Sequence, residues 1–291
     1  LAMTAEREAM MNRLTDNELQ ALIDQAIAGD KQSLETLLLG VQDLVFNLSL
    51  RMLGTFQDAE DASQDILLKV MTHLSSFKRE SSFSTWVFAI ALNHLKNYKK
   101  HMFSRYPLNF DYYGDDILHA NLQEVPDLTQ NVEKAILAEE LKLSCTNVML
   151  QCLDTESRCI FILGTMFQVD SRIAGDILGI TPEAYRQRLS RVRKKMADFL
   201  KEYCGEYGQG SCHCEKRVNY AIKNHRIDPL RLDFHHAVPK EVMLDVTAAM
   251  EEIDTISQEF SFCRTYASPE KLKRFIEDFL NGAAFSVVEN G

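Results

Sequence analysis

Arg186, Gln187, Ser190, Arg191 and Lys194 recur at the spacing of one helical face, with Arg188, Arg193 and Lys195 beside them and no acid between Glu183 and Asp198. Guanidinium and ammonium groups pair with phosphate oxygens, and Arg also forks onto the edge of guanine, so a face of this kind can hold or read nucleic acid. A basic face that is merely solvated has the same composition. A second constellation lies just downstream: Cys204, Cys212 and Cys214, with His213 between the last two. Thiolate and imidazole together are zinc chemistry. The C-x-C spacing is tighter than the usual C-x-x-C, and a fourth ligand would have to come from His213, His225, His235 or His236. A structural zinc ion and three reduced cysteines in a glycine-rich turn are both open readings.

The elements around the basic face are well punctuated. Asp154 to Phe167 reads as a helix, Asp170 to Leu178 as a second, and Gly179-Ile180-Thr181 as the connection to a third. Gly179 suits the left-handed closure of a helix, Thr181 can cap the next one, and Pro182 fits its first position. Helix, tight turn and longer helix make a helix-turn-helix. In the third helix Tyr185, Leu189, Val192, Met196 and Phe199 fall at steps of four, three, four and three, an apolar stripe opposite the basic face.

Upstream, Asp58 to Leu74 reads as an amphipathic helix with an acidic start: Ile66, Leu67, Val70, Met71 and Leu74 share one face, and Asp58, Asp61, Asp65 and Lys69 lie on others. The next helix, about Ser84 to His101, is expected to turn Trp86, Val87, Ile90, Ala91, Leu95 and Tyr98 inward and Asn93, Lys96, Asn97 and Lys100 outward. Between them runs a polar loop, Ser75 to Phe83, with Lys78 and Arg79 between Phe77 and Phe83. Cations with aromatics suit unpaired bases, but core anchoring is the commoner role for two such phenylalanines.

At 291 residues the chain can hold two compact domains and a third small one. Apolar residues recur at helical rather than alternating spacing throughout, so the fold class is all-α. Residues 15–105 form a first helical block. Residues 106–130 read as an acidic linker, interrupted by Pro107, Gly114 and Pro126, and residues 131–203 form the second block with the helix-turn-helix. Residues 204–291 form a small helical C-terminal extension. There the stripes Met243, Val246, Met250, Ile253, Ile256 and Leu272, Phe275, Ile276, Phe279, Leu280 are expected to pack as a small bundle on one or both blocks. Cys145, Cys152 and Cys159 recur every seven residues and would share a helix face, as a buried small-residue stripe or a redox sensor.

The 46% hydrophobic and 25% charged composition is that of a globular protein. There is no uninterrupted apolar run near the ~20 residues of a membrane span and no signal peptide, so the expected compartment is the cytoplasm and the seven cysteines are expected to be reduced or metal-bound. Leu1-Ala2-Met3 reads as an addition ahead of a native start. The net charge of −10 excludes a protein that coats nucleic acid with its whole surface. No paired carboxylate and histidine constellation in the extension offers an open catalytic metal site, so no catalytic residue is expected and the protein reads as a non-enzyme.

Three stretches taken together, Asp58-Ala59-Glu60-Asp61-Ala62-Ser63-Gln64-Asp65, Phe83-Ser84-Thr85-Trp86-Val87-Phe88-Ala89-Ile90-Ala91-Leu92-Asn93 and Ile173-Ala174-Gly175-Asp176-Ile177-Leu178-Gly179-Ile180, resemble the extracytoplasmic-function sigma factors. The resemblance covers about Thr15 to Tyr203. It implies a first domain that binds core RNA polymerase and melts the −10 element, and a second that reads the −35 element. The acidic helix, with Asp58, Asp61, Asp65 and Lys69, would contact the polymerase. Lys78, Arg79, Phe83, Asn93, Lys96, Asn97 and Lys100 would meet −10 DNA, and Thr181, Glu183, Arg186, Gln187, Ser190, Arg191 and Lys194 the −35 duplex. The linker would thread the polymerase's RNA exit region. No cofactor is required for this role. The implied partners are core polymerase and promoter DNA, with regulation by an anti-sigma factor or by the chain's own extension. Two departures stand out: Tyr185 where a small aliphatic residue is expected, and Gly175 inside a helix at about 1 kcal/mol relative to Ala. The alternative function is a stand-alone helix-turn-helix regulator that senses a ligand or metal through its C-terminal extension.

Overall fold

A computed structural model describes residues 15–98, 108–120, 125–234 and 266–282. Eleven α-helices and no strand occur among these residues, in line with the all-α expectation. The chain divides into two compact units: Leu1–Leu50, Thr55–Lys100 and Thr265–Gly291 make the first, Arg51–Gly54 and His101–Arg264 the second.

In the first unit, α1 (Asp16–Ile27) opens on a complete capping box: Glu18 N donates to the Thr15 hydroxyl, and Thr15 N to the Glu18 carboxylate. α2 (Lys31–Leu53) is long and apolar enough to cross a bilayer, but most of it is buried inside the protein, its own Leu37, Leu38, Val41, Val45, Phe46 and Leu50 among the buried side chains. Thr55 caps α3 (Phe56–Thr72), whose buried side is Ala59, Ala62, Ser63, Ile66, Leu67, Val70 and Met71. A single 3-10 turn, Leu74–Ser76, leads through a loop to α4 (Phe83–Lys96), capped by Ser82. The inward face of α4 differs from the expected one. Phe83, Val87, Phe88, Ala91, Leu92 and Leu95 are buried, while Trp86 and Ile90 are only half-buried. With eight apolar residues in its first ten, this helix has more than one defensible apolar stripe, and packing chose between them.

The second unit begins, among described residues after position 100, with a helix inside the stretch read as linker: α5 (Phe110–Ala120). α6 (Lys134–Gln151) follows, and then α7 (Thr155–Phe161), which is capped by Asp154 and widens into a π turn over Ile162–Met166. Cys145 and Cys159 therefore sit on different helices, with Cys152 at the end of the first, so the three do not line one face. The Asp154 cap is the local reason, since it starts a new helix between them. Arg158 is buried and donates to the carbonyls of Leu150, Gln151 and Leu153, satisfying acceptors at that junction where the helix ladder ends.

α8 (Ser171–Leu178) closes on Gly179 at φ +69°, and Thr181 caps α9 (Pro182–Tyr203) by accepting from Ala184 N at 3.2 Å. α10 (Cys214–Lys223) packs on α6, where Val218, Ala221, Ile227 and Leu232 join Leu137, Ala138 and Leu141 in one core. Of the two extension stripes, Met243 to Ile256 lies outside the described residues. The other forms α11 (Glu270–Asn281), which belongs to the first unit and buries Leu272, Ile276 and Leu280.

Candidate nucleic-acid interface

The helix-turn-helix presents a continuous polar face. Glu183, Arg186, Gln187, Ser190, Arg191 and Lys194 are all exposed along α9, as is the cap Thr181, while Tyr185, Val192, Met196, Phe199 and Leu200 are buried. The spacing places the six within three turns of helix, with Glu183, Arg186 and Gln187 nearest its N-terminus. That is the end that reaches base edges when such a helix enters the major groove, and the later cations are left for phosphates. Arg186 also bonds the Ser171 hydroxyl at 3.0 Å, which steadies its guanidinium at the mouth of the turn.

The neighbouring cations have other work. Arg193 donates to the Thr165 hydroxyl at 3.1 Å and the Gly164 carbonyl at 2.8 Å, closing the π turn onto α9. Arg188 pairs with Glu156, and Lys195 lies over the Phe110 ring at 5.0 Å. Both departures noted in the sequence have packing reasons. Tyr185 is 1% exposed and donates to the Ile160 carbonyl at 3.3 Å, and Gly164 leaves it room: a Cβ there would stand 2.5 Å from its hydroxyl. A Cβ on Gly175 would stand 2.7 Å from the Ile180 carbonyl oxygen, so only glycine lets the turn fold this closely over α8.

In the first unit Asn93, Lys96 and Asn97 are exposed on α4, and Lys78 and Arg79 are exposed in the loop before it; Lys100 lies outside the described residues. Asn97 spends one amide hydrogen on the Asn93 carbonyl at 3.0 Å. Arg79, at φ +62°, pairs with Asp24. The Phe83 ring is not presented to solvent: it is 2% exposed and, with Phe77 and Trp86, forms an aromatic cluster with ring centroids 5.3–5.8 Å apart. The core-anchor reading of both phenylalanines holds, and the half-buried Trp86 is the ring of this cluster nearest solvent.

Asp61, Asp65 and Lys69 stand exposed on α3, and Asp58, half-buried, accepts from the Thr55 hydroxyl at 2.8 Å. Lys69 Nζ lies 2.8 Å from His94 Nδ1, and Asp65 lies 3.7 Å from His94 Nε2. Burial, and then the Lys69 charge, lower the His94 pKa below its ordinary value, so this imidazole is neutral near pH 7. Burial and the nearby Asp58, Asp61 and Asp65 push the Tyr98 hydroxyl up to about 12.

The cysteine constellation is compact. Cys204 and Cys212 face each other in an isolated bridge, with Gly205 N donating to the Cys212 carbonyl at 2.8 Å and Cys212 N to the Tyr203 carbonyl at 3.0 Å. Cys214 starts α10, and His213 lies 3.5 Å from Glu206. Cys145, not singled out as a ligand in the sequence, belongs to the same neighbourhood: it accepts from the Tyr113 hydroxyl at 3.0 Å, and Arg217 spans from the Tyr113 ring to the Cys212 sulfur at 3.6 Å. Burial pushes the Cys145 thiol up to about 11 and Cys214 up to about 12, and raises Cys204. These thiols are protonated and unreactive near pH 7 as arranged. Among the described residues no three His, Cys, Asp or Glu side chains are grouped to hold a metal ion.

Sequence reading passed over an anchor of the linker helix. Asp116 of α5 pairs with Arg217 and Arg226 and accepts from the Tyr220 hydroxyl at 2.9 Å. Burial alone would raise its pKa, but the Arg226 and Arg217 charges and the Tyr220 hydroxyl outweigh it and hold the carboxyl below its ordinary value. The signal lay in one of three aspartates on α5, Asp111, Asp115 and Asp116, and nothing in the sequence singles out the one that is answered by arginines until its partners are known.

Residues 37–101 match the model of Sigma-70 region 2. The chain is 27% identical to the RNA polymerase sigma-H factor of Pseudomonas aeruginosa, over 64% of this chain and 96% of that protein. It is 26% identical to the ECF RNA polymerase sigma factor SigW of Bacillus subtilis, over 62% and 95%. With the ECF RNA polymerase sigma-E factor of Haemophilus influenzae the identity is 30%, over 50% of this chain and 83% of that protein. A solved structure of CnrH in complex with the cytosolic domain of CnrY is similar over 62% of this chain and 95% of that one, at TM-score 0.45 and 22% identity. By its sequence relationship to the curated sigma factors, the chain belongs to the extracytoplasmic-function family of RNA polymerase sigma factors.

Proposed function

We propose that this sigma factor engages core RNA polymerase through α3, with Asp58, Asp61, Asp65 and Lys69 as contacts, and reads promoter DNA with two separate faces. In this reading Arg186, Gln187, Ser190 and Arg191, flanked by Thr181, Glu183 and Lys194, meet the −35 duplex. Asn93, Lys96, Asn97, Lys78 and Arg79 meet the −10 element, and Trp86 rather than Phe83 supplies the aromatic surface for an unstacked base. The observation that carries the proposal is the unbroken exposed face of α9 on a properly closed helix-turn-helix. No covalent chemistry falls to the protein. Binding energy for the two elements and for the displaced strand offsets the cost of melting, which is a few kcal/mol for each base taken out of the stack.

Run-off transcription with purified core polymerase on candidate promoters tests this. Promoter-specific transcript is expected, and Arg186→Ala or Arg191→Ala should cost about 1–3 kcal/mol of promoter discrimination each if the side chain reads a base. If it holds only phosphate, binding should weaken evenly across sequences, with a shallower salt dependence. Tight duplex binding by the protein alone, with no transcript, would instead favour a stand-alone helix-turn-helix regulator.

A further inference from the structure

Asp43 and Asn47 lie one turn apart on α2 and are 2% and 3% exposed, in a helix that also buries Gln42, Ser49 and Arg51 among its apolar residues. Polar groups at such depth need partners, and theirs come from the far end of the chain. Asn47 treats Tyr266 as a neighbouring strand would: its Oδ1 accepts from Tyr266 N at 2.8 Å and its Nδ2 donates to the Tyr266 carbonyl at 2.7 Å. Asp43 accepts from Ser268 N at 2.6 Å. The Tyr266 ring is fully buried, with its centroid 6.0 Å from that of Phe56 on α3. After Pro269 the segment becomes α11, which lays Leu272, Ile276 and Leu280 inward and sets Lys271 3.2 Å from Glu60 of α3.

Main-chain capture by side-chain amide and carboxylate, one aromatic anchor and an amphipathic helix with apolar residues at every fourth position are how a groove receives a peptide. Here the peptide is tethered. We propose that the groove between α2 and α3 is a docking site that residues 266–281 occupy in cis, and that this occupancy restrains α3 from engaging core RNA polymerase. The second half rests on the assignment of α3 as the polymerase-binding helix. Glu60, which Lys271 holds, is the immediate neighbour of exposed Asp61, and a helix with side chains is about 10 Å across, so a protein surface wrapping that flank of α3 has to displace α11. The Pseudomonas aeruginosa relative aligns over 96% of itself but only 64% of this chain, so about a third of this chain has no counterpart in that alignment.

The test compares core polymerase affinity of the full chain with two full-length variants, while hydrogen exchange reports protection of 266–281. Tyr266→Ala with Ser268→Pro removes the anchor and the N–H that Asp43 accepts. Lys271→Glu, an exposed change that leaves the core intact, sets two acids against each other at Glu60. The double variant should lose protection in α11 and bind core about tenfold tighter, Lys271→Glu about twofold tighter. A synthetic peptide of residues 265–282, added in trans to the double variant, should return the affinity to that of the full chain. Unchanged or weaker binding by Lys271→Glu, or by a double variant shown to be folded with α11 unprotected, would overturn the restraint. Protection of 266–281 that persists in the double variant would overturn the groove. Failure of every form to bind core would instead sink the polymerase-binding role of α3, and the restraint with it, while exchange would still report the groove.

Discussion

The C-terminal third of the chain is attached in two places that differ in kind. On the second unit, α10 and the residues to Phe234 complete a core: Val218 and Ala221 are fully buried against α6, Phe234 N donates to the Glu140 carboxylate at 3.0 Å, and Arg217 with Arg226 pins α5 through Asp116. On the first unit, residues 266–281 lie as a strap, held by bonds from Asn47 and Asp43, the Lys271–Glu60 pair, one aromatic anchor and one face of a short helix. An attachment that shares a core and buried charges unfolds with its domain, whereas a thin one can come away while the domain stays folded. The first is therefore architecture and the second has the makings of a switch.

The sharpest way to break this contrast is Asp116→Ala, which strands two arginines in a part-buried site. It should cost the second unit about 3–5 kcal/mol, seen as a lower denaturation midpoint in a single cooperative step. If α5 alone lost protection while the midpoint held, α10 and α5 would be as loosely attached as the strap. Ile276→Ala, at a residue 2% exposed, should cost about 2–4 kcal/mol of local packing. Hydrogen exchange should show that loss confined to 266–281, and a global loss of the first unit would make the strap architectural too.

Acid should divide the two attachments in the same sense. The Asp116 pKa is lower folded than the ordinary carboxylate value of 3.8, so its contribution is fully present above that value and is lost as pH falls through the lower folded one. Asp43 is raised, chiefly by burial, so protonation does not remove stability through it in that way. Between neutral pH and strong acid the α5 anchor should fail first, which hydrogen exchange over 110–120 and 266–281 can follow. The smallest effect expected is from Lys271→Glu, less than about 1 kcal/mol in stability because the pair is exposed on the Lys side.

The helix-turn-helix was legible down to its caps because every signal in it is local: Gly179, Thr181 and Pro182 each act within one turn of chain. The same locality explains the Cys145, Cys152 and Cys159 misreading, where a seven-residue period ran across the Asp154 cap. The outward face of α4 was read correctly at Asn93, Lys96 and Asn97, while its inward face was shifted toward Trp86 and Ile90 because so apolar a segment does not say which side is buried. Gly175 looked like a cost in helix propensity and is a steric requirement, visible only when the Ile180 carbonyl is brought against it.

By itself the sequence determined the all-α class, the helix-turn-helix, the polar face of α9 and the likeness to a sigma factor family, because periodicity and capping are properties of neighbouring residues. Tertiary structure alone decided that Asp116 answers Arg217 and Arg226, that Cys145 sits beside Cys212, and that Asn47 answers Tyr266. A polar residue buried in an apolar helix announces that it needs a partner, but the bond that satisfies it here closes across 219 residues of sequence, and no local pattern encodes a meeting at that distance.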